Sequence, residues 1–283
     1  MSCSIGLCVY NNAFGLPYIF KNIQKIQTLF HDKINVIIFY DESKDESLKI
    51  IQHQIETNKT QNIRLIRNTN PKQDLRVDNI CIARNNILHY VRTNIPNTKY
   101  LIMMDSNEYA CIGEIQIQHL RDILQREDEW DAVSFDREAG YYDFWALSFD
   151  PFIYSFFHTA NYEETVKQMR DKFEEILINA RKTPTEFIAV YSAFNGFSIY
   201  KWTKFKNCNY DTNINMEIFP VNLLQKQVKH TGVPLIQYFK GDCEHRHFHL
   251  QAIAKENAKI MIYPQCMFAN FKGTPMPGCR GPC

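Results

Sequence analysis

The sequence predicts a single α/β domain built on a mostly parallel central sheet, with antiparallel strands added in its C-terminal half. Three observations lead there. Through residues 1–107, apolar runs alternate with segments of helical period, the pattern of a parallel sheet with right-handed crossovers. The run Tyr100-Leu-Ile-Met-Met104 is apolar without a break and stops at Asp105-Ser-Asn107, as a strand buried on both faces does. The composition is that of a globular chain: 283 residues, 45% hydrophobic, with 20 Phe and 15 Tyr to fill a core.

The elements follow in order. Residues 4–10 form the first strand, ending at Asn11-Asn12. Pro17 opens a helix at a first-turn position, where its missing N–H costs nothing. Its apolar stripe is Ile19, Ile23, Ile26 and Phe30. Residues 34–40 are a second buried strand, stopped by the polar loop 41–47, which supplies N-cap candidates for a helix carrying Leu48, Ile51 and Ile55. A short strand at 63–67 and a helix over 77–91 lead to the strand at 100–104. Beyond Asn107 the spacing predicts a helix over 114–125, a strand at 130–135 and an amphipathic surface helix over 161–182, a candidate lid. Strand-like pieces at 187–191 and 197–200 flank Ala193-Phe-Asn-Gly196. A helix from about 242 to 257, a strand at 259–263 and a Pro/Gly-rich tail close the chain.

Totals exclude several classes of function. A net charge of +1 with no basic run leaves nothing to engage nucleic acid. Residues 1–10 lack the basic flank and apolar length of a signal peptide, and no window reaches the roughly eighteen apolar residues of a membrane span. Nine cysteines without a Cys-x-x-Cys pair argue against a zinc ribbon or a thioredoxin-type site. They read as reduced and buried, in a cytoplasmic setting.

Four places can carry chemistry. Asp105 and Asn107 emerge at the carboxyl end of a parallel strand, where open α/β sheets bind ligands. Side chains two apart there point the same way and can share a hard divalent cation. The same residues also suit an Asx-stabilised turn. His245 and His249, four apart in a helix, share one face in a metal-binding spacing, or simply mark a solvated helix start. Asp143 sits among Tyr141, Tyr142, Phe144 and Trp145, either as a sugar-binding acid framed by rings or as a cap in packed core. Arg84-Asn85 faces phosphate or solvent, and Asn195-Gly196 suits a hairpin turn. No Gly-x-Gly-x-x-Gly follows the first strand, so a dinucleotide-binding Rossmann domain is disfavoured.

In their order, these parts resemble the nucleotide-sugar-dependent glycosyltransferases of the GT-A fold. Residues 39–47 stand in place of that family's acidic loop after the second strand, and Asp105-Ser-Asn107 in place of its Asp-x-Asp motif. Arg84-Asn85 precedes the central strand. The stretches 142–147, 192–196 and 243–245 resemble capsule-type mannosyltransferases and their bacterial and viral relatives. The resemblance implies a nucleotide-binding half over 1–107, an acceptor-binding half over 108–265 and a tail over 266–283. It implies a UDP- or GDP-sugar donor, a glycan or glycoprotein acceptor, and Mn²⁺ or Mg²⁺ as cofactor. Asn11, Asp41, Arg84, Asn85, Asp105 and Asn195 would then lie at the donor. Asp105, Asn107 and His249 would hold the metal, and Glu244, with Asp143 as second choice, would act on the acceptor hydroxyl. Asn in place of the second motif aspartate removes a negative charge and weakens metal affinity. The competing readings are a sugar-phosphate nucleotidyltransferase and a non-catalytic glycan-binding protein.

Overall fold

The structure is a computed structural model that describes residues 2–107, 110–138, 140–183, 186–213, 215–237 and 241–270. The chain opens with β1 (Cys3–Val9), α1 (Leu16–Gln27), β2 (Asn35–Tyr40), α2 (Ser47–Thr57), β3 (Asn62–Arg67), α3 (Arg76–Asn94) and β4 (Tyr100–Asp105). Proline stands in the first turn of α1, and the helix buries Leu16, Ile19, Phe20, Ile23 and Ile26 along one face. Next come β5 (Glu114–Ile115), α4 (Ile117–Gln125), β6 (Ala132–Asp136), α5 (Tyr162–Ala180), β7 (Ile188–Val190) and β8 (Phe197–Lys201). The series ends with α6 (Trp202–Phe205), α7 (Val221–Thr231), α8 (Glu244–Glu256), β9 (Ile260–Cys266) and β10 (Phe268–Ala269).

Eight strands make one sheet in the order β3-β2-β1-β4-β8-β6-β9-β7. The first four run parallel. β8 then enters antiparallel between β4 and β6, β9 runs parallel to β6, and β7 closes the edge antiparallel. β4 is buried on both faces, as its unbroken apolar run requires. Leu101 and Met103 join one core cluster, while Tyr100, Ile102 and Met104 join the other. Fully burying each such side chain contributes about 1.5–3 kcal/mol. On β1 the face opposite Ile5 and Leu7 carries Gly6, where a Cβ would lie 2.7 Å from Ile87 of α3. Helix α3 can therefore settle directly on the sheet.

Three expectations change. Residues 114–125 are not one helix: Glu114 and Ile115 pair with β10, and Gln116 N–H donates to the Met267 carbonyl before α4 begins. Asn195-Gly196 is no hairpin turn, because β7 pairs with β9 and β8 pairs with β4 and β6. Helix α5 is a fixed wall, with Met169, Phe173 and Leu177 packed in the same core as Leu101. Of the tail, 271–283 lies outside the described residues. Among the described residues no helix is long and apolar enough to cross a membrane.

Candidate active site

The carboxyl ends of β1, β2 and β4 open into a cavity of about 790 Å³. Asp41, Arg84, Asp105, Asn107, Asp143, Glu244 and His245 all line it, although they come from five separate stretches of chain. Parallel strands put their carboxyl ends on one side, so the loops after β1, β2 and β4 converge by topology alone.

Arg84 is the centre of the arrangement. It sits on α3, 3% exposed, with its guanidinium over the rings of Phe194 (4.6 Å) and Tyr210 (5.6 Å). Nη2 donates to Asp105 Oδ1 at 2.9 Å, and Nη1 pairs with Glu244 and contacts His245 Nε2. Burial works against the guanidinium charge, but the Asp105 carboxylate and the smaller contributions of Tyr210, Cys8 and Cys243 together outweigh it, and the pKa of Arg84 rises. The two acids are not equivalent. Asp105 keeps 23% of its side chain exposed and lines the cavity, whereas Glu244 keeps 5% and is committed to Arg84.

Asp143 differs from both. Burial, aided by the charge of Asp105, pushes its carboxyl up to about 6, against the backbone N–H of Ala146 and the charge of Arg84. The Ala146 N–H donates to Oδ1 at 3.2 Å and the Asn195 N–H to Oδ2 at 3.3 Å. A carboxylate so placed changes its protonation close to neutral pH. That suits proton transfer.

On the β2 side, the Asp41 N–H donates to the Val9 carbonyl at 2.9 Å, and Asp41 Oδ1 accepts from Asn68 Nδ2 at 2.5 Å. Asn12 donates to Ser106 Oγ, whose hydroxyl donates to the Cys8 carbonyl at 2.6 Å. These bonds tie the loop after β4 to β1.

Four residues expected at ligand do not line the cavity. Asn11 adopts φ 50°, accepts from Lys44 N–H at 2.7 Å and so pins the loop after β2. Asn85 exchanges two hydrogen bonds with the Tyr210 backbone, 2.8 and 2.9 Å, which fixes the ring against Arg84. Asn195 accepts from Tyr142 and Asp143 N–H and donates to the Phe135 carbonyl at 2.9 Å, anchoring the Asp143 loop to β6. His249 is 0% exposed, with Nδ1 2.9 Å from Ser192 Oγ and Nε2 3.3 Å from Tyr200 OH. Burial and the charges of Arg246 and Arg84 lower its pKa to about 3. It is a neutral core histidine.

His245, one turn earlier, takes the cavity position instead. Its ring stacks on Phe194 at 3.8 Å, and burial with the charge of Arg84 holds it well below the usual histidine range. The four-residue spacing put both imidazoles on one helix face. It carried no sign of which end of that face met the cavity. Phe194 stands out in the sequence only as part of the stretch 192–196, and Tyr210 gives no sequence signal, since isolated aromatics are ordinary core residues.

Among the described residues no group of three or more His, Cys, Asp and Glu is placed to hold a metal ion. The donor set at the mouth still fits a hard divalent cation. Asp105 offers a carboxylate and Asn107 an amide oxygen, and Mg²⁺ is commonly held by one or two protein groups plus phosphate oxygens and waters.

No protein-family model and no curated protein matches the chain. Solved structures do. S. aureus TarS 1-349, in complex with UDP-GlcNAc, aligns with 99% of this chain at 14% identity and a TM-score of 0.50. The mannosyltransferase PcManGT from Pyrobaculum calidifontis, in complex with GDP-Man and Mn²⁺, aligns with 98% at 12% identity and a TM-score of 0.51. The alignments cover 62% and 58% of those two chains, so this chain spans about three fifths of their length. The fold is GT-A.

Proposed function

We propose that this GT-A chain moves a glycosyl group from a nucleoside-diphosphate sugar to a hydroxyl acceptor. The observation that supports it is the convergence of Asp41, Arg84, Asp105, Asn107 and Asp143 on one cavity at the carboxyl ends of β1, β2 and β4. The nucleoside lies against Asp41, and the diphosphate lies towards Asp105 and Asn107. TarS was solved with UDP-GlcNAc and PcManGT with GDP-Man and Mn²⁺, so UDP- and GDP-sugars are the donors to try first.

Charge supports a divalent ion with that donor. Among the described lining residues, Asp41, Asp74, Asp105, Asp143 and Glu244 face only Lys72, Arg76 and Arg84. A diphosphate entering this acid-rich wall needs further positive charge, and Asp105 with Asn107 would hold Mn²⁺ or Mg²⁺ there. When bound, the ion stabilises charge on the departing diphosphate.

The residues divide the remaining work. Glu244 and Asp105 hold Arg84, whose buried charge stabilises anions in the cavity. Asp143 accepts the proton of the acceptor hydroxyl. As it does, the acceptor oxygen bonds to the anomeric carbon. The bond from that carbon to the diphosphate oxygen breaks, and the nucleoside diphosphate leaves with the electron pair. Asp143 replaces Glu244 as the preferred base, because the Glu244 carboxylate is occupied by Arg84 while the Asp143 carboxyl titrates near 6.

The test is a panel of UDP- and GDP-sugars with Mn²⁺ or Mg²⁺, read as nucleoside diphosphate release and as a shift in melting temperature. At least one donor should give both. If no nucleotide sugar gives either, the assignment is wrong.

A further inference from the structure

The residue after β3 sets what the cavity can read at its nucleoside end. Val9 of β1 is in register with Tyr40 of β2, and the Tyr40 carbonyl accepts from the Asn68 N–H at 2.9 Å. Tyr10, Asp41 and Asn68 therefore leave three neighbouring strands side by side. Asp41 is fixed there by its backbone: its N–H donates to the Val9 carbonyl, and its carbonyl accepts from the Ser43 hydroxyl at 3.0 Å. Its carboxylate is held at one oxygen only. Oδ1 accepts from Asn68 Nδ2 at 2.5 Å, and among the described residues no other hydrogen bond reaches either oxygen. The Asn68 amide cannot be turned round, because its Oδ1 already accepts from the Asn70 N–H at 2.9 Å. Its nitrogen must face Asp41. Asp41 thus presents one open acceptor, Oδ2, to the cavity that it lines. A second N–H brought to Oδ1 would meet the Asn68 amide hydrogens, donor against donor.

We infer that Asn68 selects a uracil donor over a guanine donor, by leaving Asp41 a single acceptor for the base. The inference rests on the glycosyl-transfer reading and names the base of that same donor. On its pairing edge uracil carries one donor, N3–H, between two carbonyls. Guanine carries two adjacent donors, N1–H and the 2-amino group, which together need both oxygens of a carboxylate. One open oxygen satisfies uracil. With guanine it leaves a donor unpaired, and a desolvated donor without a partner costs more than one hydrogen bond returns. Lys72 Nζ stands 3.5 Å from the centroid of the Tyr10 ring, next to Asp41, and lines the cavity. It can donate to a carbonyl of either base, so the discrimination falls to Asp41. Asn68 is half-buried and does not line the cavity, so it acts through Asp41 as a positioning residue.

The test is calorimetric binding of UDP, GDP and N3-methyl-UDP to the full chain, with Mn²⁺ present. UDP should bind about tenfold tighter than GDP or more, the factor that one unpaired donor accounts for. N3-methyl-UDP lacks the one donor and should lose affinity by a similar factor, a comparison that needs no variant to fold. In Asn68→Ser the hydroxyl still accepts from the Asn70 N–H, as turn serines do, while Asp41 Oδ1 is released. The ratio of UDP to GDP affinity should then fall below about threefold. A merely structural role for Asn68 would weaken both nucleotides alike, and an unchanged ratio overturns the inference. Equal binding of UDP and GDP by the wild type, or of UDP and N3-methyl-UDP, also overturns it while the glycosyl-transfer reading stands. If neither UDP nor GDP binds, that reading fails and the inference fails with it.

Discussion

Removing Arg84 is the most informative perturbation of this site. In Arg84→Met the apolar stem is kept and the guanidinium is lost from between Asp105 and Glu244. Asp105, with 23% of its side chain exposed, regains hydration, so its share of the loss stays near the 0–1 kcal/mol of a surface pair. Glu244, with 5% exposed, cannot. Removing one partner of a buried ion pair costs about 3–5 kcal/mol, a large part of the roughly 5–15 kcal/mol that stabilises a domain. The stranded Glu244 escapes part of this by taking up a proton. Its folded-state pKa is then raised, so its contribution is favourable below the unfolded value and is lost as pH rises through the folded one. The destabilisation should therefore be larger at pH 8 than at pH 5. Urea midpoints at both pH values measure it, and Glu244→Gln in the Arg84→Met background should recover most of the loss by removing the unpaired charge. A cost below about 1 kcal/mol at pH 8, or no recovery in the double variant, would refute the role given to this ion pair.

Other expectations follow from single residues. Transfer by the wild type should rise with pH through about 6 as the Asp143 carboxyl loses its proton, and Asp143→Asn should lower kcat by roughly 10²–10⁴-fold and remove that limb. A limb that survives the substitution excludes Asp143 as the base. His249, with its pKa lowered to about 3, contributes stability that is complete above about 6.5 and is lost as pH falls towards 3, by up to about 1.4 kcal/mol per pH unit. His249→Gln should flatten that acid limb in urea titrations without changing the metal dependence of donor hydrolysis. Loss of metal response there would restore His249 as a ligand. Gly196→Ala adds a Cβ at φ +86°, 2.7 Å from Tyr142 OH and Ala110 Cβ, and should lower stability by about 1–3 kcal/mol or more. Asp41→Ala should weaken nucleoside diphosphate binding about tenfold in calorimetry while the urea midpoint holds. Unchanged affinity removes Asp41 from the nucleoside end.

Much of the fold was legible because burial writes itself into the chain. An unbroken apolar run such as residues 100–104, coming after a helical pattern and stopping at turn residues, reads as a strand covered on both faces. Helical spacing in 77–91 fits only a helix with one face on that sheet. The stopping points of these runs also located Asp41 and Asp105, because parallel strands deliver their carboxyl ends to one side. Roles within the site were less legible. His245 and His249 have the same spacing and chemistry on one helix face. Only the packing of α8 against β8 and Phe194 decided that His245 meets the cavity while His249 is sealed against Ser192 and Tyr200.

The sequence by itself determined the parallel half of the sheet, the order of its helices and the acids at its strand ends, since these depend on local period and burial. Tertiary structure alone decided the rest. It inserted β8 antiparallel beside β4, joined Arg84 to Glu244 across 160 positions of sequence, and turned Asn11, Asn85 and Asn195 from ligand-facing groups into braces. It also raised the Asp143 carboxyl to about 6 while Asp105 stayed paired to Arg84. The physical reason is the same in each case. A carboxylate's charge state and a side chain's partner depend on what lies within a few ångströms in space, and neighbours so distant in sequence leave no periodic mark on it.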